Sequence, residues 1–274
     1  MNANIRNQPI GVFDSGMGGL TVMKAMMSLL PNEELIYLGD TARLPYGSKS
    51  PETVKRYAVQ CARALLRYDI KMLVIACNTA SATALGDLSQ ALAPTPVIGV
   101  IEPGAEAAVR AARSGRIAVL ATEGTVKGGA YARAIHARNP QAHVTQKACP
   151  LFVPLAEEGV TQGQIPELIA GMYLQPILED EATRPDCLVL GCTHFPVLRD
   201  VIAKVAGPGA KLVDSAATTA SAVQRLLLQG NLKRDKPAVP PRFLSTDAPE
   251  RFARVGQIFL GTPIPPNSVE LVDL

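Results

Sequence analysis

The feature that most constrains this chain is a self-similarity at a fixed offset. Pro51-Glu52 and Pro166-Glu167 stand 115 residues apart, and so do Leu73-Val74 and Leu188-Val189, and Cys77 and Cys192. The register continues beyond the cysteines, where VIGV (97–100) falls opposite LVDS (212–215), each leading into an Ala-rich helical pattern. Upstream it holds with a small slip, since IGVFDSG (10–16) resembles IAVLATEG (117–124). Apolar strands look alike by chance, but chance does not carry a Pro-Glu pair and a cysteine along at the same spacing. The chain therefore reads as one supersecondary unit written twice. The divide falls near residue 98. This predicts a first unit of residues 1–97 completed by 210–274, and a second unit of residues 98–209.

Within each unit, apolar runs alternate with helix-length amphipathic segments. The runs are IGVF (10–13), LIYLG (35–39), MLVIA (72–76), PVIGV (96–100), RIAVLA (116–121), HVTQKA (143–148), CLVLG (187–191) and KLVD (211–214). Continuous rather than alternating hydrophobicity marks strands buried on both faces, hence parallel sheets covered by helices. Segments 52–69 and 167–181 carry helical patterns, with Pro51 and Pro166 at their starts. The fold class predicted is α/β: two pseudo-symmetric domains, each a mostly parallel sheet flanked by helices, with an active site in the cleft between them.

Charge and composition narrow the function. The formal charge of +3 is spread along the chain without basic runs, so nucleic acid is not expected. No apolar run reaches membrane-spanning length, and the opening MNANIRNQPI lacks a signal-peptide core. A cytoplasmic protein without a membrane partner is expected. Five cysteines (Cys61, Cys77, Cys149, Cys187, Cys192) are too sparse for a disulfide scaffold and should be free thiols.

Two of them carry chemistry. LVIACNTAS (73–81) and LVLGCTHFP (188–196) each place a cysteine at the C-terminal end of a buried strand, followed by polar residues and the start of a helix. In open α/β sheets that edge is where ligands bind. Cys61, within a helical pattern, and Cys187, at a strand start, read as small buried residues. Zinc is not expected, because Cys192 and His194 have only one residue between them and Cys77 has no second soft ligand nearby. A redox pair would need a Cys-x-x-Cys spacing, which is absent. A cysteine hydrolase could use Cys192 and His194 but leaves Cys77 unexplained. Two equivalent thiols on two equivalent units fit another demand, the inversion of a carbon centre. One group removes a proton from one face while the other delivers a proton to the opposite face. Thiols titrate near working pH, and a helix N-terminus favours the thiolate.

DSGMGGL (14–20), GDTARLPYG (39–47), ACNTAS (76–81) and GCTHFP (191–196) resemble the signatures of the glutamate racemases, enzymes that make D-glutamate for bacterial peptidoglycan without a cofactor. The resemblance runs from about residue 10 to 260. It implies that Cys77 and Cys192 are the acid/base pair, with Cys192 taking the proton from L-glutamate and Cys77 from D-glutamate. It further implies assistance by Asp14, by His194 and by an acid of AEEG (156–159), placed at Glu157 with Glu158 the alternative. Substrate contacts are implied at Asp14, Ser15, Tyr46, Gly47, Asn78, Thr79, Thr122, Thr125, Thr193 and His194. Arg43 is as well explained by pairing with a surface acid. GMGG (16–19) lacks the GK[ST] of a phosphate loop and reads as a tight turn bringing backbone to the substrate. No lysine stands in a site motif, so pyridoxal phosphate is not expected, and neither is any other cofactor. The expected partner is glutamate, and the expected assembly is a homodimer. Three alternatives stay open: a racemase of another small amino acid such as aspartate, the cysteine hydrolase, and a non-catalytic amino-acid-binding protein.

Overall fold

The computed structural model describes residues 5–274; the first four residues of the first unit, and of MNANIRNQPI, lie outside the described residues. Among the described residues the strands are β1 (Ile10–Asp14), β2 (Leu35–Gly39), β3 (Met72–Ile75), β4 (Val97–Gly99), β5 (Arg116–Ala121), β6 (His143–Ala148), β7 (Cys187–Gly191), β8 (Lys211–Asp214), β9 (Arg242–Ser245) and β10 (Val269–Leu271). The helices are α1 (Leu20–Leu29), α2 (Pro51–Leu66), α3 (Asn78–Ala91), α4 (Ile101–Ala111), α5 (Glu123–Gly128), α6 (Ala130–His136), α7 (Phe152–Glu157), α8 (Gln164–Leu178), α9 (Arg199–Ala206), α10 (Ser215–Gln229) and α11 (Pro249–Leu260).

The strands form two sheets, and every pairing is parallel. The first sheet runs β10-β9-β2-β1-β3-β4 and the second β6-β5-β7-β8. The order 2-1-3-4 recurs as 6-5-7-8, so the repeat in the sequence is a repeat in topology. β1 and β5, β3 and β7, and β4 and β8 occupy matching places. β9 and β10 extend the first sheet beyond β2 and have no counterpart in the second.

Strand pairing moves the crossings expected at 98 and 210. β4 pairs with β3 as far as Gly99, and β8 pairs with β7 through residues 211–214. The chain therefore leaves the first sheet after β4 through α4 and the second after β8 through α10, and these two helices pack against each other. The remainder returns as β9, which pairs with β2.

Local chemistry sets the helix starts. Ser50 caps α2 by accepting from the Thr53 N–H at 3.3 Å, with Pro51 in the first helical position. Asp214 caps α10 through the N–H groups of Ala216 and Ala217. α8 begins at Gln164, after Gly163 at φ 90°, so Pro166 lies in its first turn, where no N–H is required. β1, β2, β3 and β7 are buried along their whole lengths, as their continuous apolar runs require. Phe13, Ile75, Val54, Ala58 and Leu65 form the core under α2 and α3, while Val12, Val74, Leu20, Met23 and Phe252 fill the opposite face. Each such aliphatic or aromatic side chain stabilises the fold by about 1.5–3 kcal/mol. Among the described residues no helix is long and apolar enough to cross a membrane.

Candidate active site

The order 2-1-3-4 puts a topological switch point between β1 and β3, and its repeat puts another between β5 and β7. The strand ends at these points carry Asp14 (β1), Cys77 (after β3), Thr122 (after β5) and Cys192 (after β7). The two cysteines are 5% and 6% exposed. Asp14, Asn78, Thr79, Thr125, Thr193 and His194 are buried beside them.

The surroundings of the two thiols differ. Cys77 is the N-cap of α3, and its sulfur accepts from the Ala80 N–H at 3.5 Å. Its thiol donates toward the Ser15 hydroxyl at 3.8 Å. Asp14 is fully buried; its Oδ2 accepts from the Gly19 N–H at 2.9 Å and the Gly16 N–H at 3.3 Å, and its Oδ1 has no protein partner. Burial raises the Cys77 thiol well above its ordinary value, and the Asp14 charge adds to it, which favours the neutral thiol in the free protein.

Cys192 has a cationic neighbour. His194 Nδ1 stands 3.8 Å from its sulfur, and His194 Nε2 stands 3.2 Å from Glu157 Oε1. The second Glu157 oxygen accepts from Arg251 at 3.0 Å. Burial alone would lower the imidazole's value, but the hydrogen bonds to Cys192 and Glu157 raise it to about 10. His194 is thus an imidazolium at neutral pH, the charge partner that a thiolate requires. Burial opposes ionisation of Glu157 too, yet His194 and Arg251 hold it below the usual carboxylate range. Glu158 caps the end of α7 and is exposed, so Glu157 is the acid beside the histidine.

The helix expected directly after each cysteine forms only behind Cys77. Phe195–Leu198 is a 3-10 turn, and α9 starts at Arg199. Pro196 stands at the start of that turn, and the His194 ring lies beside Cys192.

Hydroxyl and amide groups from both units gather at the strand ends that carry the thiols. Thr79 Oγ1 lies 3.1 Å from Thr122 Oγ1 and 3.2 Å from Thr125 Oγ1, and the latter two are 3.1 Å apart. Asn78 accepts a hydrogen bond from the Tyr131 hydroxyl at 2.8 Å, and its Nδ2 has no protein partner. Thr21 Oγ1 donates to the Thr193 carbonyl at 3.0 Å, stitching α1 to the Cys192 loop. Two glycines permit this closeness. A Cβ on Gly18 would lie 2.3 Å from His194 Nδ1, and one on Gly47 would lie 2.8 Å from Thr122 Cβ. Gly18 therefore serves the approach of one unit to the other.

The structure brings Asp14, Ser15, Gly47, Asn78, Thr79, Thr122, Thr125, Thr193, His194 and Glu157 to these strand ends. The Tyr46 side chain is directed elsewhere. Its hydroxyl donates to Asp40 Oδ2 within the core, 3.7 Å from Cys61 Sγ, which leaves only its backbone beside Gly47 for a ligand. Arg43 pairs with that same buried Asp40 at 2.8 Å, not with a surface acid. Sequence reasoning missed Tyr131, Arg251 and Phe259, whose ring packs edge-on to His194 at 5.0 Å. None lies in a motif, and each reaches the site from a distant helix. Among the described residues no three His, Cys, Asp or Glu side chains gather as a metal site.

Twin parallel α/β units, each with one thiol at a matching strand end, make this a two-domain α/β protein with a site built from both units. Residues 10–223 match the Asp/Glu/Hydantoin racemase family. The chain belongs to that family and is an isomerase. It is 52% identical to the glutamate racemase of Geobacter metallireducens over 253 residues, 92% of each chain. Among solved structures it resembles the glutamate racemase of Francisella tularensis in complex with D-glutamate, with 40% identity, 98% of each chain covered and a TM-score of 0.90. The aspartate racemase of Picrophilus torridus, 17% identical over 82% of this chain and 94% of its own with a TM-score of 0.57, shares the fold alone.

Proposed function

We propose that the protein interconverts L- and D-glutamate without a cofactor, using Cys77 and Cys192 as opposed acid and base, and so supplies D-glutamate for peptidoglycan. The observation that carries this reading is the pairing of unlike thiols at equivalent strand ends: Cys77 kept neutral beside Asp14, and Cys192 beside an imidazolium. In the L-to-D direction the Cys192 thiolate takes the Cα proton, breaking C–H and forming S–H. The Cys77 thiol gives its proton to the opposite face, so the negative charge passes from one sulfur to the other. The D-to-L direction starts from the reversed state.

The threonines Thr79, Thr122 and Thr125, the free Asn78 amide N–H groups and the backbone at Gly47 are suited to holding two carboxylates without an arginine. Contacts at Ser15 and Thr193 belong to the same reading, as do a homodimer and a cytoplasmic location. Shortening the substrate by one methylene would strand a buried donor at one end, at about 1–3 kcal/mol for each hydrogen bond lost.

The chain Cys192–His194–Glu157 also has the order of a hydrolase's nucleophile, base and orienting acid. A hydrolase would not need Cys77. The test is a circular-dichroism assay of purified protein with L-glutamate and with L-aspartate. Loss of optical signal with glutamate and at least a hundredfold less turnover with aspartate are expected. Comparable turnover of aspartate would overturn the substrate assignment, and a Cys77→Ala variant with full activity would overturn the chemistry.

A further inference from the structure

Tyr131, on α6 of the second unit, is fully buried and touches the loops of both thiols. Its ring lies against Gly191, the residue before Cys192, where an added Cβ would come within 3.1 Å of Cε2. It lies equally close to Gly104 of α4, where an added Cβ would be 3.2 Å from the ring and from the hydroxyl. Its hydroxyl crosses to the first unit and donates to Oδ1 of Asn78, the residue after Cys77, at 2.8 Å.

An asparagine amide has one accepting and one donating end, and a rotation of χ2 exchanges them. Here the hydroxyl donates to Oδ1, so the amide stands with Nδ2 turned away from Tyr131. The Asn78 Nδ2 group, buried and without a protein partner, then becomes the end left for a ligand. A donor buried in this way is unfavourable unless something accepts from it. A substrate carboxylate is the acceptor that the proposed function supplies.

We propose that Tyr131 is a positioning residue for the racemisation: it fixes the Asn78 amide so that both Nδ2 hydrogens are offered to a carboxylate of the amino-acid substrate. The inference rests on the glutamate racemase reading for the identity of that carboxylate. Because donor and acceptor come from different units, the orientation is set only when the units are together. Burial, aided by the Cys192 and Asp214 charges, holds the phenol well above its ordinary value, so it remains a donor throughout the working range.

The competing role for Tyr131 is to fill the space beneath Gly104 and Gly191, which a phenylalanine ring would do as well. Tyr131→Phe separates the two. With the amide orientation unset, KM for L- and D-glutamate and the dissociation constant for glutamate should rise roughly ten- to a hundredfold, the worth of one hydrogen bond to a charged group. The turnover numbers should change far less, because an interaction made equally in ground and transition states appears in KM. Added to Asn78→Ala, the Tyr131→Phe change should cause no further loss of binding, since both act on the same contact.

Asn78→Asp is a second probe that does not depend on the Tyr131 variant folding. It keeps the acceptor for Tyr131 but turns a carboxylate oxygen toward the substrate, and glutamate binding should fall by more than a hundredfold with thermal stability retained. Unchanged KM and binding in Tyr131→Phe, additive losses in the double variant, or full binding by Asn78→Asp would each overturn the inference while the function stands. A wild-type protein that neither binds nor racemises glutamate would instead remove the function, and the inference with it.

Discussion

Glu157 holds His194 at 3.2 Å through Oε1 while its Oε2 accepts from Arg251 at 3.0 Å. With both oxygens engaged, the carboxylate is fixed in the orientation that keeps His194 charged toward Cys192. Glu157→Gln keeps the shape and removes the charge. A hydrogen bond to a charged group contributes about 1.5–3 kcal/mol, so kcat should fall roughly tenfold or more in the direction that uses Cys192 as base. The reverse direction should lose less, and Glu158→Gln should stay within about twofold of wild type. His194→Asn should share the asymmetry, and Asp14→Asn, beside Cys77, should invert it. Circular-dichroism progress curves from each enantiomer read kcat separately. The two kcat/KM values must fall together, because the enantiomers are equal in free energy. Equal kcat losses in both directions would argue against side-specific roles.

Gly18 faces His194 with no room for a side chain, and His194 is itself wedged between Phe259 and Glu157. Gly18→Ala should therefore force the two units apart at the site, at about 1–3 kcal/mol. We expect catalytic efficiency to drop at least tenfold. Gly16→Ala is the control, since its Cβ would meet only Leu44, at an ordinary 3.5 Å. An active Gly18→Ala enzyme would mean that the loop moves aside without consequence for catalysis.

The reach of the sequence follows physical lines. The repeated strands were legible because each is a continuous apolar run at a constant offset, and the order 2-1-3-4 followed by 6-5-7-8 is the same pattern in space. β9 and β10 escaped notice because Arg242 and the preceding prolines mask one, and the other is three residues long. Both lie outside the repeat. The cysteines and His194 announced themselves as reactive groups at strand ends. Tyr131 and Arg251 did not, since a single tyrosine or arginine on a helix shows no sign of the partner it meets more than fifty residues away. The Tyr46 motif suggested a ligand contact, but only packing reveals that its hydroxyl is directed to Asp40.

The histidine also ties stability to pH. Its folded value of about 10 lies above the ordinary value of about 6.5. Its contribution to stability is thus fully present below pH 6.5 and is lost as pH rises toward 10, where the folded state gives up a proton that the unfolded chain has already released. Glu157 has the opposite sign. Its depressed value stabilises the fold above the ordinary carboxylate range, and that contribution is lost on acidification. Thermal melts should show Tm falling between pH 7 and 10, and His194→Asn should flatten part of that slope. A slope identical to wild type in the variant would mean that His194 is not charged in the folded protein.

The transfer of hydrogen itself distinguishes two bases from one. If the thiols face opposite sides of Cα, the proton delivered to product is never the one removed from substrate. Cys77 and Cys192 are nearly closed off from solvent, so their protons should exchange with it between turnovers rather than within one. In heavy water, L-glutamate should give D-glutamate carrying deuterium at Cα from the first turnovers. The remaining L-glutamate should stay largely unlabelled, because the shielded abstracting thiol returns its own proton to the same face. A single mobile base would carry original hydrogen across into the product. Either Cys77→Ala or Cys192→Ala should lose racemisation almost entirely, as general acid–base groups contribute about 10²–10⁴ each. Mass spectrometry of early product decides: substrate-derived hydrogen retained at Cα would remove the two-base mechanism and assign the transfer to a single base.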